Sequence, residues 1–220
     1  MTWAHHRPPR GISESRGFTL VELMVVVVIA AILIAIALPS MLAGMRNRSA
    51  FESSNDIALL VRLARARAMG LGVAQVLEFR SNGTGDRGRV HLYEARLAGV
   101  GTTSCQGWAA AGPVLPATTP GATTPTATFV DARLVDSKLD ATKESALFLN
   151  GAAAGNLGYL CYTPKGTPYY APTLAGLANA AIFTGTYELD VTDKPGGVKA
   201  GLVRKILIPA GAAPRIRSVP

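Results

Sequence analysis

The chain has 220 residues, of which 49% are hydrophobic and 16% charged, and its formal net charge is +8. That length accommodates a membrane segment plus one domain of ordinary size. Three histidines and two cysteines, in no ligand-like spacing, argue against a zinc centre.

Residues 1–17 form a basic leader, with Arg7, Arg10 and Arg16 against Glu14. Phe18 to Leu38 is then apolar apart from one charge, Glu22. At about 1.5 Å per residue, such a helix crosses a hydrocarbon core of roughly 30 Å. Positive charge ahead of the run keeps that end cytoplasmic and sends the C-terminal bulk outward. A removable secretory signal fits less well, because its apolar region is shorter and a small-residue cleavage site follows it. Here the small residue, Gly17, precedes the run. A carboxylate inside hydrocarbon costs on the order of 2.5–3.5 kcal/mol, so Glu22 needs a partner or an escape to the interface.

Gly17-Phe18-Thr19-Leu20-Val21-Glu22 resembles the processing site of type IV prepilins and type II secretion pseudopilins. The resemblance implies cleavage by a prepilin peptidase between Gly17 and Phe18, then N-methylation of Phe18. Glu22 falls at the fifth mature position. There it would pair with the terminal ammonium of a neighbouring subunit and set the register of a filament. The expected partners are the peptidase, other pilins or pseudopilins and the inner membrane, with secreted cargo or DNA beyond them. No cofactor is implied.

The helical pattern continues from Phe18 to about Met69, roughly 78 Å if unbroken, with Pro39 as an expected kink. Beyond Arg46 it becomes amphipathic, with Phe51, Ile57, Leu60, Val61, Ala64 and Ala68 as the apolar stripe. Gly70 and Gly72 are read as its end. Strands are predicted at Val73–Phe79 and Arg89–Leu97, around a turn at Ser81–Asp86. Further strands are predicted at Thr128–Val135, Ala146–Leu149, Leu157–Tyr162, Ala181–Val191 and Leu202–Ile208. Residues 109–127, rich in Ala, Thr, Pro and Gly, are read as an irregular loop. The fold class is α+β, with two antiparallel sheets burying the helix stripe.

The organisation is therefore a leader at 1–17, a transmembrane assembly helix at 18–38, an amphipathic half-helix at 39–70 and a β-rich domain at 71–220. Leu160-Cys161-Tyr162-Thr163-Pro164-Lys165-Gly166-Thr167-Pro168 resembles the strand-turn segment of the GspH/FimT branch, and a plain hairpin turn explains it equally. That branch implies a structural minor pilin or pseudopilin and a periplasmic domain. In an oxidising compartment Cys105 and Cys161 either bridge or remain two buried thiols.

No nucleophile elbow, P-loop or dinucleotide fingerprint occurs, so an enzyme is not expected. From Gly196 onward the chain carries five basic residues and no acid. Arg215 and Arg217 resemble the Arg-x-Arg pair with which some FimT-like minor pilins contact DNA. Here Ala212, Ala213 and Pro214 separate the pair from Gly211. A solvated basic tail or an assembly contact are the alternatives.

Overall fold

The computed structural model describes residues 18–81, 88–117, 119, 121–134, 145–149, 157–193 and 200–219. Contacts divide the chain into two units, Met1–Leu42 and Ala43–Pro220. Helix α1, Leu20–Leu71, contributes to both. In the first unit, Leu20–Leu38 has a mean hydropathy of 3.1 and no residue covered by the rest of the chain. A helix suits such a run because it satisfies its own backbone polar groups.

In the second unit α1 is amphipathic. Ile57, Leu60, Val61, Ala64 and Ala68 are each at most 1% exposed, and their spacing of three and four puts them on one face. Each fully buried Leu, Ile or Val side chain contributes roughly 1.5–3 kcal/mol before ordering costs. Phe51 departs from the expected stripe. It is 44% exposed, with the Arg204 guanidinium 5.6 Å from its ring centroid. Of the two glycines read as its end, Gly70 still lies in the helix. Gly72, at φ +67°, ends it, because a left-handed residue leaves the helical path without a Cβ clash.

Two antiparallel sheets follow. The first joins β1 (Gln75–Arg80), β2 (Arg89–Leu97), β3 (Val100–Gly101), β4 (Ala127–Leu134), β6 (Leu157–Tyr162) and β7 (Pro168–Ala171). Its path is β3-β2-β1-β6-β7, and β4 also pairs with β2. The second has the order β10-β9-β8-β5, built from β5 (Ser145–Leu149), β8 (Thr186–Asp193), β9 (Ala200–Pro209) and β10 (Arg215–Val219).

The period-two alternation of β1, β2 and β6 gives the first sheet two buried faces. Leu77, Phe79, Val90, Leu92, Leu160 and Tyr162 face α1 and share a core with Leu189, Val191, Ile206 and Ile208 of the second sheet. Val76, Tyr93, Ala95, Tyr159 and Cys161 face the other way, into a second core with Trp108, Phe129 and Leu177.

The segment read as an irregular loop has little regular structure among its described residues, but an element that was not expected lies just ahead of it: α2 (Cys105–Ala110), whose N-cap Ser104 accepts from the Gly107 amide at 2.9 Å. A helix this short gives no periodic signal. Tertiary anchors hold it instead: Trp108 is fully buried and its indole N–H donates to the Thr126 carbonyl. Cys105 and Cys161 form a disulfide with Cα atoms 6.0 Å apart.

Two other expectations change. The strand expected from Ala181 begins only at Thr186. Upstream lie a 3-10 turn at Ala175–Asn179 and an isolated bridge between Tyr169 and Ile182. The C-terminal segment expected as a tail is the edge strand β10, paired to β9 from Arg215↔Leu207 to Val219↔Val203. Ile216 packs on the first core and draws the strand in, while Arg215 and Arg217 stay exposed. The leader and most of the 81–86 turn lie outside the described residues.

Candidate processing and assembly site

Thr19 starts α1. Its hydroxyl accepts from the Glu22 amide at 3.2 Å, and its carbonyl accepts from the Leu23 amide at 3.2 Å. Thr19 is thus the N-cap, and Thr-x-x-Glu is the spacing of a capping box. The spacing is visible in the residues alone. Glu22 lies in the first turn, where a carboxylate complements the partial positive charge of the helix start. Phe18 is non-helical and 78% exposed. Gly17 lies outside the described residues.

From Leu20 to Leu38 every side chain is exposed. Twelve large apolar residues between Leu20 and Ile34, starting with Leu20 at 75% and Val21 at 68%, present an uncovered surface. Water does not tolerate a patch of that size, so it belongs in lipid or against other helices.

Residues 12–38 match the family model of the prokaryotic N-terminal methylation motif. The chain carries a type IV prepilin-type signal. The signal supports a type IV pilin-like or pseudopilin chain that prepilin peptidase processes and that assembles with other pilins. With the apolar helix it supports membrane anchoring, and it points to a structural protein rather than an enzyme. Neither a search of curated proteins nor one of solved structures finds a match.

The structure does not bring the remaining candidates together into one centre. Cys105 and Cys161 join α2 to β6. Arg215 and Arg217 lie on β10 and make no ion pair among the described residues. Arg217 is the cross-strand neighbour of Lys205, but the Lys205 ammonium turns to β8, 3.2 Å from Glu188 and 3.9 Å from Asp190. Arg204 on β9 donates to the Ser218 hydroxyl. Arg62 on α1 donates to the Pro214 carbonyl at 3.1 Å and ties down the turn before β10.

One polar cluster escaped the sequence reading. The register of β1 and β2 pairs Glu78 with His91. Glu78 Oε2 lies 3.4 Å from His91 Nδ1 and accepts from the Tyr93 hydroxyl at 3.2 Å. Arg80 stands 3.5 Å from the other carboxylate oxygen. Burial pushes the Glu78 carboxyl up, but His91, the Arg80 charge and the Tyr93 hydroxyl outweigh it, and the carboxyl sits below its ordinary range. Burial and the Glu78 charge push the Tyr93 phenol above its ordinary value. Phe129 packs edge-on against both rings. Glu78 and His91 are at most 5% exposed, so the cluster has little access to a substrate and acts as a satisfied polar core. Among the described residues, no three His, Cys, Asp or Glu side chains group as metal ligands.

Proposed function

We propose that this protein is a minor pilin or pseudopilin of the GspH/FimT type, built into a type II secretion pseudopilus or a type IV pilus. The carrying observation is the start of α1: a Thr19-capped helix with Glu22 in its first turn, followed by a wholly uncovered apolar span. Prepilin peptidase cuts between Gly17 and Phe18 and methylates Phe18. The new ammonium then pairs with Glu22 of a neighbouring subunit, which offsets the burial of the carboxylate and sets the register. The basic leader stays cytoplasmic, and the two-sheet domain faces the periplasm. A disulfide-closed domain suits that oxidising compartment. The two antiparallel sheets behind one long N-terminal helix support the branch assignment.

Mass spectrometry of the mature chain tests this reading. The expected terminus is a methylated Phe18; an intact leader in peptidase-positive cells would refute it.

A second reading is DNA contact through β10. It is favoured by two exposed arginines without ion-pair partners among the described residues, held on an ordered edge strand. Phosphate contacts of this kind give weakly selective, salt-sensitive binding. Titration with duplex DNA at several salt concentrations should then show a weaker salt slope for Arg215→Ala plus Arg217→Ala. Unchanged binding would remove the arginines from consideration.

A further inference from the structure

Nothing in the filament reading uses the turn between β6 and β7. That turn forms one wall of a cavity of about 420 Å3, within the roughly 300–1,000 Å3 range of small-ligand clefts. Thr163, Lys165, Thr167 and Tyr169 line this wall, and Thr103 and Ser104, just ahead of α2, line the other. The Cys105–Cys161 bridge fastens the walls together, since Ser104 precedes Cys105 and Thr163 follows Cys161 by two residues. Backbone bonds fix the turn: the Gly166 amide donates to the Thr163 carbonyl at 2.8 Å, and the Thr163 amide to the Thr167 carbonyl at 3.1 Å. Gly166, at φ +74°, also rests on α1. A Cβ there would stand 3.2 Å from Met69 Sδ and 3.4 Å from Arg65 Nε. The cavity is thus formed before a ligand arrives, which cuts the ordering cost of binding.

Its lining both gives and takes hydrogen bonds. The Thr103, Thr167 and Tyr169 hydroxyls make no side-chain hydrogen bond among the described residues. Ser104 accepts from the Gly107 amide and keeps its O–H free to donate. Thr163 donates to the Thr167 carbonyl at 3.4 Å and keeps lone pairs free to accept. A simple anion only accepts, so it would leave those lone pairs unmet. The hydroxyls of a sugar ring do both and match the set. Charge adds a second preference. Among the lining residues there is no Asp or Glu, and Lys165 makes no ion pair among the described residues. The Arg65 guanidinium lies behind Gly166 and adds positive charge from below. An ammonium at the rim favours a carboxylate on the ligand. We propose that this cavity binds an acidic saccharide, with Lys165 on its carboxylate and the hydroxyls of both walls on its ring. The site is separate from the processing signal and does not depend on the filament reading.

The test uses the full chain in detergent micelles, titrated calorimetrically with three probes. Diglucuronate carries ring hydroxyls and carboxylates, cellobiose only the hydroxyls and succinate only the carboxylates. Diglucuronate should bind about ten-fold more tightly than cellobiose, and succinate should not bind measurably. Lys165→Gln should erase the advantage of diglucuronate and leave cellobiose unchanged. Thr103→Val plus Thr167→Val should weaken both saccharides about ten-fold. Succinate bound as tightly as diglucuronate would mark a plain anion site and overturn the proposal. A preference for cellobiose, or no saccharide binding at all, would overturn it too. So would saccharide binding that neither variant alters while the Cys105–Cys161 bridge forms normally.

Discussion

Glu78 and His91 meet across the β1–β2 ladder, with Oε2 3.4 Å from Nδ1 and both side chains enclosed by the second core. The carboxyl is held below its ordinary 4.5 even though burial alone would raise it. A depressed carboxyl stabilises the fold above its unfolded pKa, and that contribution is lost as pH falls through the folded value. Domain stability should therefore decline below about pH 4.5. Glu78→Gln should cost roughly 1–3 kcal/mol near neutrality and flatten the acid limb. Urea titrations between pH 3 and 7 check both; an unchanged acid limb in the variant would assign the loss to other carboxylates.

The Cys105–Cys161 bridge spans 56 residues of sequence. Closing a loop of that length stabilises by about 4 kcal/mol in the chain-entropy account. Denaturation with and without reductant should show a loss of this order, and C105A/C161A should reproduce the reduced curve. A chain cut before Phe18 keeps Trp108 as its single tryptophan, so fluorescence reports directly on the second core.

Gly158 on β6 faces Tyr187 of the second sheet and Tyr170 of β7. A Cβ there would stand 2.7 Å from the Tyr187 hydroxyl oxygen and 3.4 Å from the Tyr170 ring. Those rings pack at 4.6 Å between centroids and are poorly placed to retreat. Gly158→Ala should destabilise the domain by roughly 1–3 kcal/mol. Gly211→Ala, with open space around it, is the control and should change the thermal midpoint little.

Thr19 caps α1 through the Glu22 amide. Thr19→Ala should cost roughly 0.5–2 kcal/mol of local helix stability. Faster hydrogen exchange at the Glu22 amide in micelles, with unchanged exchange in the β domain, is the expected outcome. Uniformly faster exchange would mean that the substitution acts on the whole fold.

Much of the architecture was legible because its causes are local. Arg89–Leu97 and Leu157–Tyr162 form strands at the predicted bounds, since their alternation is long enough to specify a pleat. The buried positions of α1 followed from its period, apart from Phe51. The failures share a cause. Helix α2 and strand β10 carry weak intrinsic signals and exist because Trp108, the disulfide and Ile216 hold them to the rest of the domain. The Glu78 cluster was hidden for the same reason, because only the strand register brings its members together.

The sequence by itself determined the membrane-length helix, its prepilin-type start and the α+β order of elements. Each of these follows from composition and short-range periodicity, which need no partner elsewhere in the chain. Only the tertiary structure decided which faces are buried, that the basic C-terminal segment is an ordered edge strand, and that the β6–β7 turn and the residues ahead of α2 meet around one cavity. Those outcomes depend on which distant segments pack together, and packing is a property of the whole domain.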